Sequence, residues 1–441
     1  MLVFQKYGGT SLGTLDRIRR CARRCLGVVA SGNELVVVVS AMSGETNRLI
    51  ALANALAEPA AELDGASSHK GPWVAPRKGG QAHNRELDQL VSTGENVSAS
   101  LLAMAIHQAG GQAVSLAGHQ LGMRTDDAFT HARITDIETS RIRSELAAGR
   151  IVVCAGFQGT SPGGDITTLG RGGSDTSAVA LAASLRADVC EILTDVDGVF
   201  TTDPRVVSHA RKIDRLCFEE MLELASVGAK VLQLRSVEVA ARFGVPIHVR
   251  SSEHQGQGTM IVPEEESMES VVVSAVALDR NEGKVTVVDL PDVPGTVAGL
   301  FEALAEAGIV VDMIIQNAGH AGHTDVSFTV PESDLAEAEA LLAARGDKVV
   351  TDPGICKVSL VGLGMRSHAG VASRMFRILA TEGINIDMVT TSTIKISVAV
   401  AERYGELALR ALHDGFGLAG PVEPSGDSAG DSAVGSAPDQ A

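Results

Sequence analysis

Cationic and glycine residues at two places in the chain have the types and spacing that could hold phosphate groups. The first is the segment Lys6-Tyr7-Gly8-Gly9-Thr10, where a short apolar run ends and a helical pattern begins at about Leu12. Backbone amides in a glycine turn can approach an anion closely, and the N-terminus of a helix favours negative charge. Lys6 adds a positive charge, so the segment predicts a phosphate cradle. A glycine pair also serves turn geometry alone, and these residues by themselves leave both interpretations open.

The second place is the glycine-rich segment Thr168-Leu169-Gly170-Arg171-Gly172-Gly173-Ser174-Asp175, at the start of another helical pattern. Gly172 and Gly173 permit close backbone contact with a ligand, and the guanidinium of Arg171 suits bidentate capture of a carboxylate or phosphate. Ser174 or Asp175 could instead be a helix N-cap. An N-cap does not explain an arginine among glycines, so the segment predicts an anion-binding loop.

An acidic turn, Thr194–Arg205, follows a third apolar run. Asp197-Gly198 and Asp203-Pro204 are ordinary turn pairs, and the spacing does not fit an EF-hand. Beside a phosphate site, however, Thr194, Asp195 and Arg205 could hold a nucleotide.

Composition excludes several classes of protein. The 441 residues carry 37 Lys+Arg against 54 Asp+Glu, a net charge of −17, with 3% aromatic residues, which disfavours a nucleic-acid partner. The six cysteines show no spacing typical of a zinc site. No signal peptide is recognisable, and the longest aliphatic run, Leu35–Val39, is too short to span a bilayer. We therefore expect a cytoplasmic, reduced protein without a membrane partner.

The elements that must position these residues alternate between strand and helix over residues 1 to about 252. Candidate strands are Val3–Lys6, Leu35–Ser40, Ala113–Leu116, Ile151–Ala155, Val189–Thr194 and Ile247–Arg250. Candidate helices include Gly94–Ala109, Arg133–Ala147 and Gly173–Leu185. The alternation predicts an α/β domain with a mainly parallel sheet. Ligands bind beyond the carboxyl ends of such strands, which is where Lys6, Ser40, Gly156 and Asp195 lie.

Three further segments complete the organisation. Residues 57–85, rich in proline and glycine, predict a surface insertion, and a lid is the alternative. From about Val271 an internal repeat begins: Gly295, Phe301, Leu304, Ala305, Gly308, Ile309, Asp312 and Met313 recur at one constant offset as Gly370, Phe376, Leu379, Ala380, Gly383, Ile384, Asp387 and Met388. The repeat predicts two βαβ-type modules that share a sheet or pack side by side. The tail, 420–441, has a composition typical of disorder.

Seven motifs, taken in order, resemble those of aspartate kinase, a member of the amino-acid kinase fold. They are Lys6–Ser11, Ser40–Met42, Gly94–Glu95, Gly156–Phe157, Thr168–Asp175, Thr194–Arg205 and Gly228–Lys230. The repeated modules resemble the paired ACT regulatory domains of that family. The resemblance implies a three-layer kinase domain at 1–252 and βαββαβ-like ACT domains at 271–345 and 353–417.

The resemblance implies transfer of the γ-phosphoryl group of ATP to the side-chain carboxylate of L-aspartate. The product would be 4-phospho-L-aspartate, the first intermediate towards lysine, threonine and methionine. A carboxylate with a pKa of about 3.9 is already ionised at neutral pH, so no general base is needed and catalysis reduces to positioning and charge neutralisation. Mg²⁺ would be held chiefly by phosphates and water, so no protein metal ligand is predicted.

The resemblance also implies roles for individual residues. Lys6 and Asp175 are the expected catalytic pair. Substrate-binding residues would be Ser40, Thr46, Glu95, Arg171, Gly172, Gly173 and Ser174, with Glu95 on the α-ammonium and Arg171 on the α-carboxylate. ATP-binding residues would be Lys6, Tyr7, Gly8, Gly9, Thr194, Asp195, Phe200, Arg205 and Lys230.

An amino-acid effector, lysine or threonine, is expected in the paired modules, which would also associate chains into a homo- or hetero-oligomer. Its expected contacts are Asp292, Gly295, Asp312, Gln316, Asn317, Ser367, His368, Asn385 and Asp387. Met313 and Met388 are interpreted as core residues. The family typically has asparagine at the position of Val310, from which we expect weakened or altered inhibition at one class of site.

Alternative functions stay open on the sequence alone. Another amino-acid kinase, acting on a glutamate derivative, carbamate or a nucleotide, is disfavoured by the tandem modules. A non-catalytic amino-acid sensor is disfavoured by the presence of Lys6, Glu95, Arg171 and Asp175. A paralogue dedicated to one pathway is a further possibility.

Overall fold

The computed structural model describes residues 1–57, 81–229, 231–264, 272–317, 319, 322–366 and 368–420. Most of the predicted insertion, Lys230, Ser367 and the tail beyond residue 420 lie outside the described residues.

The strands of the first unit are β1 (Leu2–Tyr7), β2 (Glu34–Val39), β3 (Ala113–Leu116), β4 (Met123–Thr125), β5 (Ile134–Ile137), β6 (Ile151–Ala155), β7 (Gln158–Thr160), β8 (Ile166–Thr168), β9 (Val189–Thr194), β10 (Arg215–Cys217), β11 (Ile247–Ser251) and β12 (Thr259–Val262).

The helices of the first unit cover the main sheet. They are α1 (Leu15–Ala30), α2 (Glu45–Ala57), α3 (Gln81–Val91), α4 (Thr93–Gln108), α5 (Ser140–Ala147), α6 (Gly173–Leu185), α7 (Phe218–Ser226) and α8 (Leu234–Phe243). In the described residues the sheet has the order β10-β12-β11-β9-β1-β2-β6-β3 and is parallel except between β11 and β12. The predicted α/β class with a mainly parallel sheet is therefore confirmed.

The strand residues alternate between two cores, one on each face of the sheet. Phe4, Val36 and Val38 pack in the core that contains α6 and α8, whereas Val37 and Val39 pack in the core beneath α1 and α4. A strand buried on both faces is a continuous apolar run, which explains the sequence Leu-Val-Val-Val-Val of β2. The result is a three-layer arrangement.

One predicted helix differs from the structure. Residues 133–147 begin with β5, and the helix α5 starts only at Ser140. Strand β5 pairs with β4 in a small sheet of order β5-β4-β7-β8. Pairing with a neighbouring strand therefore overrode a helical pattern that is visible in the sequence.

The repeated modules share one sheet, which is one of the two arrangements that the repeat predicted. Their elements are β13 (Ala275–Pro291), α9 (Thr296–Glu306), β14 (Ile314–Gln316), β15 (His323–Val330), α10 (Leu335–Arg345), β16 (Lys348–Val361), α11 (Val371–Thr381), β17 (Met388–Thr391), β18 (Lys395–Ala401) and α12 (Gly405–Gly415). The order β14-β15-β13-β16-β18-β17 places β13 of one module beside β16 of the other. Gly295 and Gly370 cap α9 and α11 with φ of 98° and 97°.

Across the described ranges, no helix has both the length and the apolar character that crossing a bilayer requires.

Candidate active site

A cavity of about 460 Å³ lies at the carboxyl ends of β1 and β2 and at the first turns of α4 and α6. The fold brings these parts together because parallel strands end at the same edge of the sheet. The sequence-predicted residues that line the cavity are Lys6, Gly9, Ser40, Thr46, Glu95, Arg171, Gly172, Gly173, Ser174 and Asp175. Predicted residues from four separate segments of the chain thus meet around one space.

Lys6 and Asp175 form an ion pair in this cavity. The Lys6 Nζ is 2.6 Å from Asp175 Oδ1, and the two side chains are only 12% and 11% exposed. Asp175 lies in the first turn of α6, where the helix dipole favours a carboxylate. The pair fixes the position of an ammonium group at the end of β1, where it can meet an anionic ligand.

Glu95 lies in the first turn of α4 and is 3% exposed. Its Oε1 accepts a hydrogen bond from the Ala41 amide at 3.0 Å, whereas its Oε2 has no hydrogen-bond partner in the described part of the chain. Burial raises the pKa of Glu95 to about 7, against the lowering effects of the Ala41 hydrogen bond and the Lys6 charge. A buried carboxylate oxygen without a donor is costly, so the cavity offers a strong acceptor to a cationic group.

Two glycines at the cavity wall are required by geometry. Gly172 caps α6 with φ of 68°, in the left-handed region that side chains rarely adopt. A Cβ atom at Gly9 would lie 2.7 Å from the Ala41 carbonyl oxygen. Both glycines therefore allow close packing within the chain, Gly9 against Ala41 and Gly172 against Gln233, and the first turn of α6 lines the cavity. Arg171 lies at the exposed side of the same loop.

Sequence reasoning missed a group of residues that shape the opposite wall. Asp88 on α3 accepts hydrogen bonds from the Thr130 amide at 2.8 Å and from the amide and hydroxyl of Thr168 at 2.8 and 2.6 Å. Phe157 and Thr130, both with positive φ of 70° and 72°, line the cavity as well. One sequence signal could have revealed this group: Asp88 is a charged residue between Leu87 and Val91 on the apolar face of α3, where it is buried.

Tyr7 points away from the cavity. Its side chain is fully buried in the core under α1, and its hydroxyl donates to Gln5 Oε1 at 3.1 Å. Strand alternation places Lys6 and Tyr7 on opposite faces, so Tyr7 could contact a nucleotide only through its backbone. Gly8 lies between the cavity and strand β9, which leads into the predicted nucleotide turn. Its amide donates to the Leu193 carbonyl at 3.3 Å, and an added Cβ would lie 3.6 Å from Lys6 Nζ.

The predicted nucleotide turn lies beside this cavity but does not line it. Thr194 ends β9, the neighbour of β1, and its hydroxyl donates to Asp195 at 3.0 Å. Phe200 forms a bridge with Lys212, and Arg205 pairs with Asp203 at 2.8 Å with its side chain 88% exposed. Four of the predicted ATP-binding residues, Thr194, Asp195, Phe200 and Arg205, thus lie along one segment that starts beside the end of β1, and of these Asp195 and Arg205 are exposed.

The predicted effector positions of the first module are exposed. They are Asp292, Gly295, Asp312, Gln316, which ends β14, and Asn317. The Asp292 carboxylate lies against Gly319, two residues after Asn317, so Asp292 and Asn317 lie near each other. Asp312 contacts the buried ammonium of Lys357, which also contacts Glu282.

In the second module, the described effector positions are also exposed. They are His368, Asn385 and Asp387. The His368 ring lies 2.8 Å from the Gly364 carbonyl oxygen through Nδ1. Met313 and Met388 are buried together with Ile355 and Ala399, which is the core role expected of them.

Comparison with known proteins agrees with this architecture. Residues 1–251 match the Amino acid kinase family, and residues 285–345 and 358–416 match the ACT domain. An aspartokinase of Pseudomonas aeruginosa is 50% identical over 428 residues, which cover 96% of this chain and 98% of that protein.

Two crystal structures of E. coli aspartokinase III share the fold. One, with aspartate and ADP in the R-state, has a TM-score of 0.72 at 28% identity, covering 94% of this chain and 99% of the other. The other, with lysine and aspartate in the T-state, has a TM-score of 0.70 at 29% identity, with the same coverage of 94% and 99%. The chain therefore belongs to the amino acid kinase family, among its aspartokinase members with paired ACT domains.

Proposed function

We infer that this chain is an aspartate kinase, which transfers the γ-phosphoryl group of ATP to the side-chain carboxylate of L-aspartate. The observation that carries the assignment is the buried Oε2 of Glu95, which lacks a hydrogen-bond partner among the described residues and lines the same cavity as the Lys6–Asp175 pair. The α-ammonium group of an amino acid could donate a hydrogen bond to this oxygen, and the negative charge of a phosphoryl group would be attracted to the Lys6 ammonium.

Aspartate would be held by groups of opposite charge at its two ends. Glu95 would accept from the α-ammonium, and Arg171 would bind the α-carboxylate, with Ser174 and the glycine amides at the start of α6 beside it. Ser40 and Thr46 would lie along the side chain. The proposal rests on the distribution of charge around one cavity: an unneutralised carboxylate on α4 and a guanidinium on the loop before α6.

The chemical step then requires positioning more than proton transfer. An oxygen of the ionised side-chain carboxylate forms a bond to the γ-phosphorus, while the bond from that phosphorus to the β–γ bridging oxygen breaks and ADP leaves. No proton moves, because the nucleophile is ionised and ADP leaves as an anion. Lys6, held by Asp175, would stabilise the charge on the transferring group.

The donor set fits a magnesium ion that travels with the nucleotide. Mg²⁺ usually keeps several waters and binds phosphates with one or two carboxylates. Asp88 is already engaged by three hydrogen bonds and Asp175 by Lys6, so the cavity does not form an all-protein cage. When bound, the ion neutralises phosphate charge, and Asp175 is the carboxylate placed to adjoin it.

ATP would extend from the cavity over the turn that follows β9. Thr194, Asp195, Phe200 and Arg205 lie along that turn, and Gly8 joins it to the cavity through the hydrogen bond to Leu193. We propose that these residues hold the nucleotide. The role of Lys230 stays a prediction from the sequence.

Regulation through the paired modules is the second part of the proposal. Lysine is the first effector to test, since E. coli aspartokinase III was crystallised with lysine, and threonine is the second. We also propose that chains associate through the modules, as a homo- or hetero-oligomer, and that the protein is cytoplasmic.

The test is aspartate-dependent ADP release from MgATP, with hydroxylamine trapping of the acyl phosphate, for wild type and Lys6→Met. We expect hydroxamate from wild type and a loss of kcat of about 10²–10³-fold in the variant. Lys348→Met, which removes a lysine that is 68% exposed, is the control and should be active. No hydroxamate with aspartate would indicate another amino-acid substrate, and none with any amino acid would indicate a sensor.

A further inference from the structure

The segment after the predicted nucleotide turn is packed on the second regulatory module. Val207 is buried in the core of that module, and Ala210 bridges to Ala419 beyond α12. The His209 carbonyl accepts from the Gly420 amide at 3.2 Å, and the Arg410 guanidinium donates to the Val206 carbonyl at 3.2 Å. The kinase unit and the regulatory unit are therefore joined at this segment.

Three potential metal ligands meet at this joint. They are His209 from the kinase segment and His413 and Asp414 from the last turn of α12, and one ligand atom of each lies within 4.8 Å of the others. His209 Nε2 is 2.7 Å and His413 Nδ1 is 3.5 Å from the same oxygen, Asp414 Oδ1. Within the described ranges no other group of three His, Cys, Asp or Glu side chains is arranged in this way.

Thr201 contacts the far nitrogen of His413. Its hydroxyl lies 3.2 Å from the Leu418 carbonyl, accepts from the Arg211 amide at 3.0 Å, and lies 3.0 Å from His413 Nε2. A proton on Nε2 is compatible with all three contacts. In that tautomer the lone pair of Nδ1 faces the Asp414 carboxylate.

An imidazole nitrogen and a carboxylate oxygen that face each other at 3.5 Å can share a cation, and a second imidazole nitrogen lies 2.7 Å from the same oxygen. A neutral imidazole nitrogen beside a carboxylate and a second imidazole is the donor set that zinc and its neighbours prefer. The arrangement also matches known metal sites in having Thr201 orient the ring from its far nitrogen.

We propose that His209, His413 and Asp414 bind one divalent transition-metal ion of the zinc class, which fastens the segment after the nucleotide turn to the second regulatory module. Ligand bonds of about 2.0–2.2 Å in tetrahedral geometry place ligand atoms roughly 3.3 Å apart. The separation of 3.5 Å between His413 and Asp414 fits this value. His209 and Asp414 would open from 2.7 Å, which their exposure of 41% and 59% permits. A water would complete the coordination.

The test is cobalt binding to the full chain, prepared without a histidine tag, freed of metal by a chelator and studied without nucleotide. We expect about one equivalent of Co²⁺ to bind with visible d–d absorption, to be displaced by Zn²⁺, and to raise the Tm. The six cysteines are buried, so the near-ultraviolet band of a thiolate ligand should be absent.

His209→Gln and Asp414→Asn are the test variants, because both side chains are substantially exposed and the metal-free variants should melt within a few degrees of wild type. Each should weaken Co²⁺ binding by at least about tenfold, the lower end of the effect of losing even an outer partner of a ligand. His254→Gln, an exposed histidine elsewhere, should bind as wild type does. Absence of a saturable equivalent, or an unchanged cobalt spectrum in both variants, overturns the proposal.

Discussion

Replacing Glu95 by glutamine should stabilise the ligand-free protein and weaken aspartate binding at the same time. The pKa of Glu95 is about 7 rather than the ordinary 4.5, mainly because the carboxylate is buried. At about 1.4 kcal/mol for each pKa unit, the ionised carboxylate costs the folded protein about 3 kcal/mol. Glutamine keeps the shape and the acceptor for the Ala41 amide but carries no charge.

The direction of the pH dependence follows from where the proton is bound. Below about pH 4.5 the carboxyl group of Glu95 is protonated in both the folded and the unfolded state, and the penalty is absent. The penalty grows as the pH rises and is complete above about pH 7. Glu95→Gln should therefore exceed wild type in free energy of unfolding by up to about 3 kcal/mol at pH 8. The difference should vanish towards pH 4.5.

The effect on the substrate has the opposite sign. A buried ion pair that loses one charge costs about 2 kcal/mol or more, so the KM for aspartate should rise at least about thirtyfold. In wild type, aspartate binding should weaken as the pH falls below about 7, because Glu95 becomes protonated.

Urea denaturation at pH 8 and pH 5, together with the hydroxamate assay, measures both effects. Asp88→Asn is the matched comparison: this carboxylate is also buried, and burial raises its pKa, but three hydrogen bonds oppose the rise, so its replacement should stabilise the protein less at pH 8 than Glu95→Gln does. A Glu95→Gln variant that is no more stable than wild type at pH 8, or that has an unchanged KM, would refute the reasoning.

The remaining predictions concern one glycine and the charges of the regulatory modules. Gly172→Ala should lower the free energy of unfolding by at least about 1–2 kcal/mol, because φ is +68° and an added Cβ would overlap the Gln233 side chain, and it should reduce kcat/KM; a variant with wild-type stability and activity would contradict this. Lys357→Met should lower the free energy of unfolding, measured by urea denaturation, by about 3–5 kcal/mol, because it leaves the Glu282 carboxylate buried without its cation. The double variant Lys357→Met with Glu282→Leu should recover most of that loss. Asp387→Asn should weaken inhibition by lysine or threonine more than Asp312→Asn, since Lys357 already neutralises Asp312; equal effects in inhibitor titrations would count against this.

Much of the fold follows from local pattern. The all-apolar run of β2 could only be a strand covered on both faces. The helix 173–185 is observed with its predicted bounds, since Gly170 and Gly172, both with positive φ, lie directly before its start. The error at 133–139 arose because β5 is held by β4, its neighbour in the small sheet. Such a partner is not visible in a window of sequence.

The candidate site was predictable from local pattern where a cationic residue adjoins a strand end or a glycine turn. Lys6 and Arg171 carry such a signal, whereas the role of Glu95 came from the family resemblance, and the structure brings all three to one cavity. Tyr7 was placed with the cavity because it belongs to the same motif, but alternation along β1 turns its side chain into the core. Asp88 was missed because its role depends on amides that lie far away in the sequence.

The two modules have diverged at the position where they meet. Glu282 and Lys357 are related by the same offset that relates Gly295 to Gly370, and they form a buried ion pair across the pairing of β13 with β16. Identical copies would bring like charges together in a buried place, at a cost that opposes pairing. The opposite charges therefore favour pairing of unlike modules within one sheet.

This divergence makes the two predicted effector sites chemically unlike. Lys357 reaches the Asp312 carboxylate of the first module, whereas the corresponding Asp387 has no ion-pair partner in the described part of the chain. Val310 adds an apolar surface that is 70% exposed beside Asp312. If these positions bind the effector as predicted, its ammonium group would meet an available carboxylate in the second module and a neutralised one in the first, and inhibition should then depend mainly on the second.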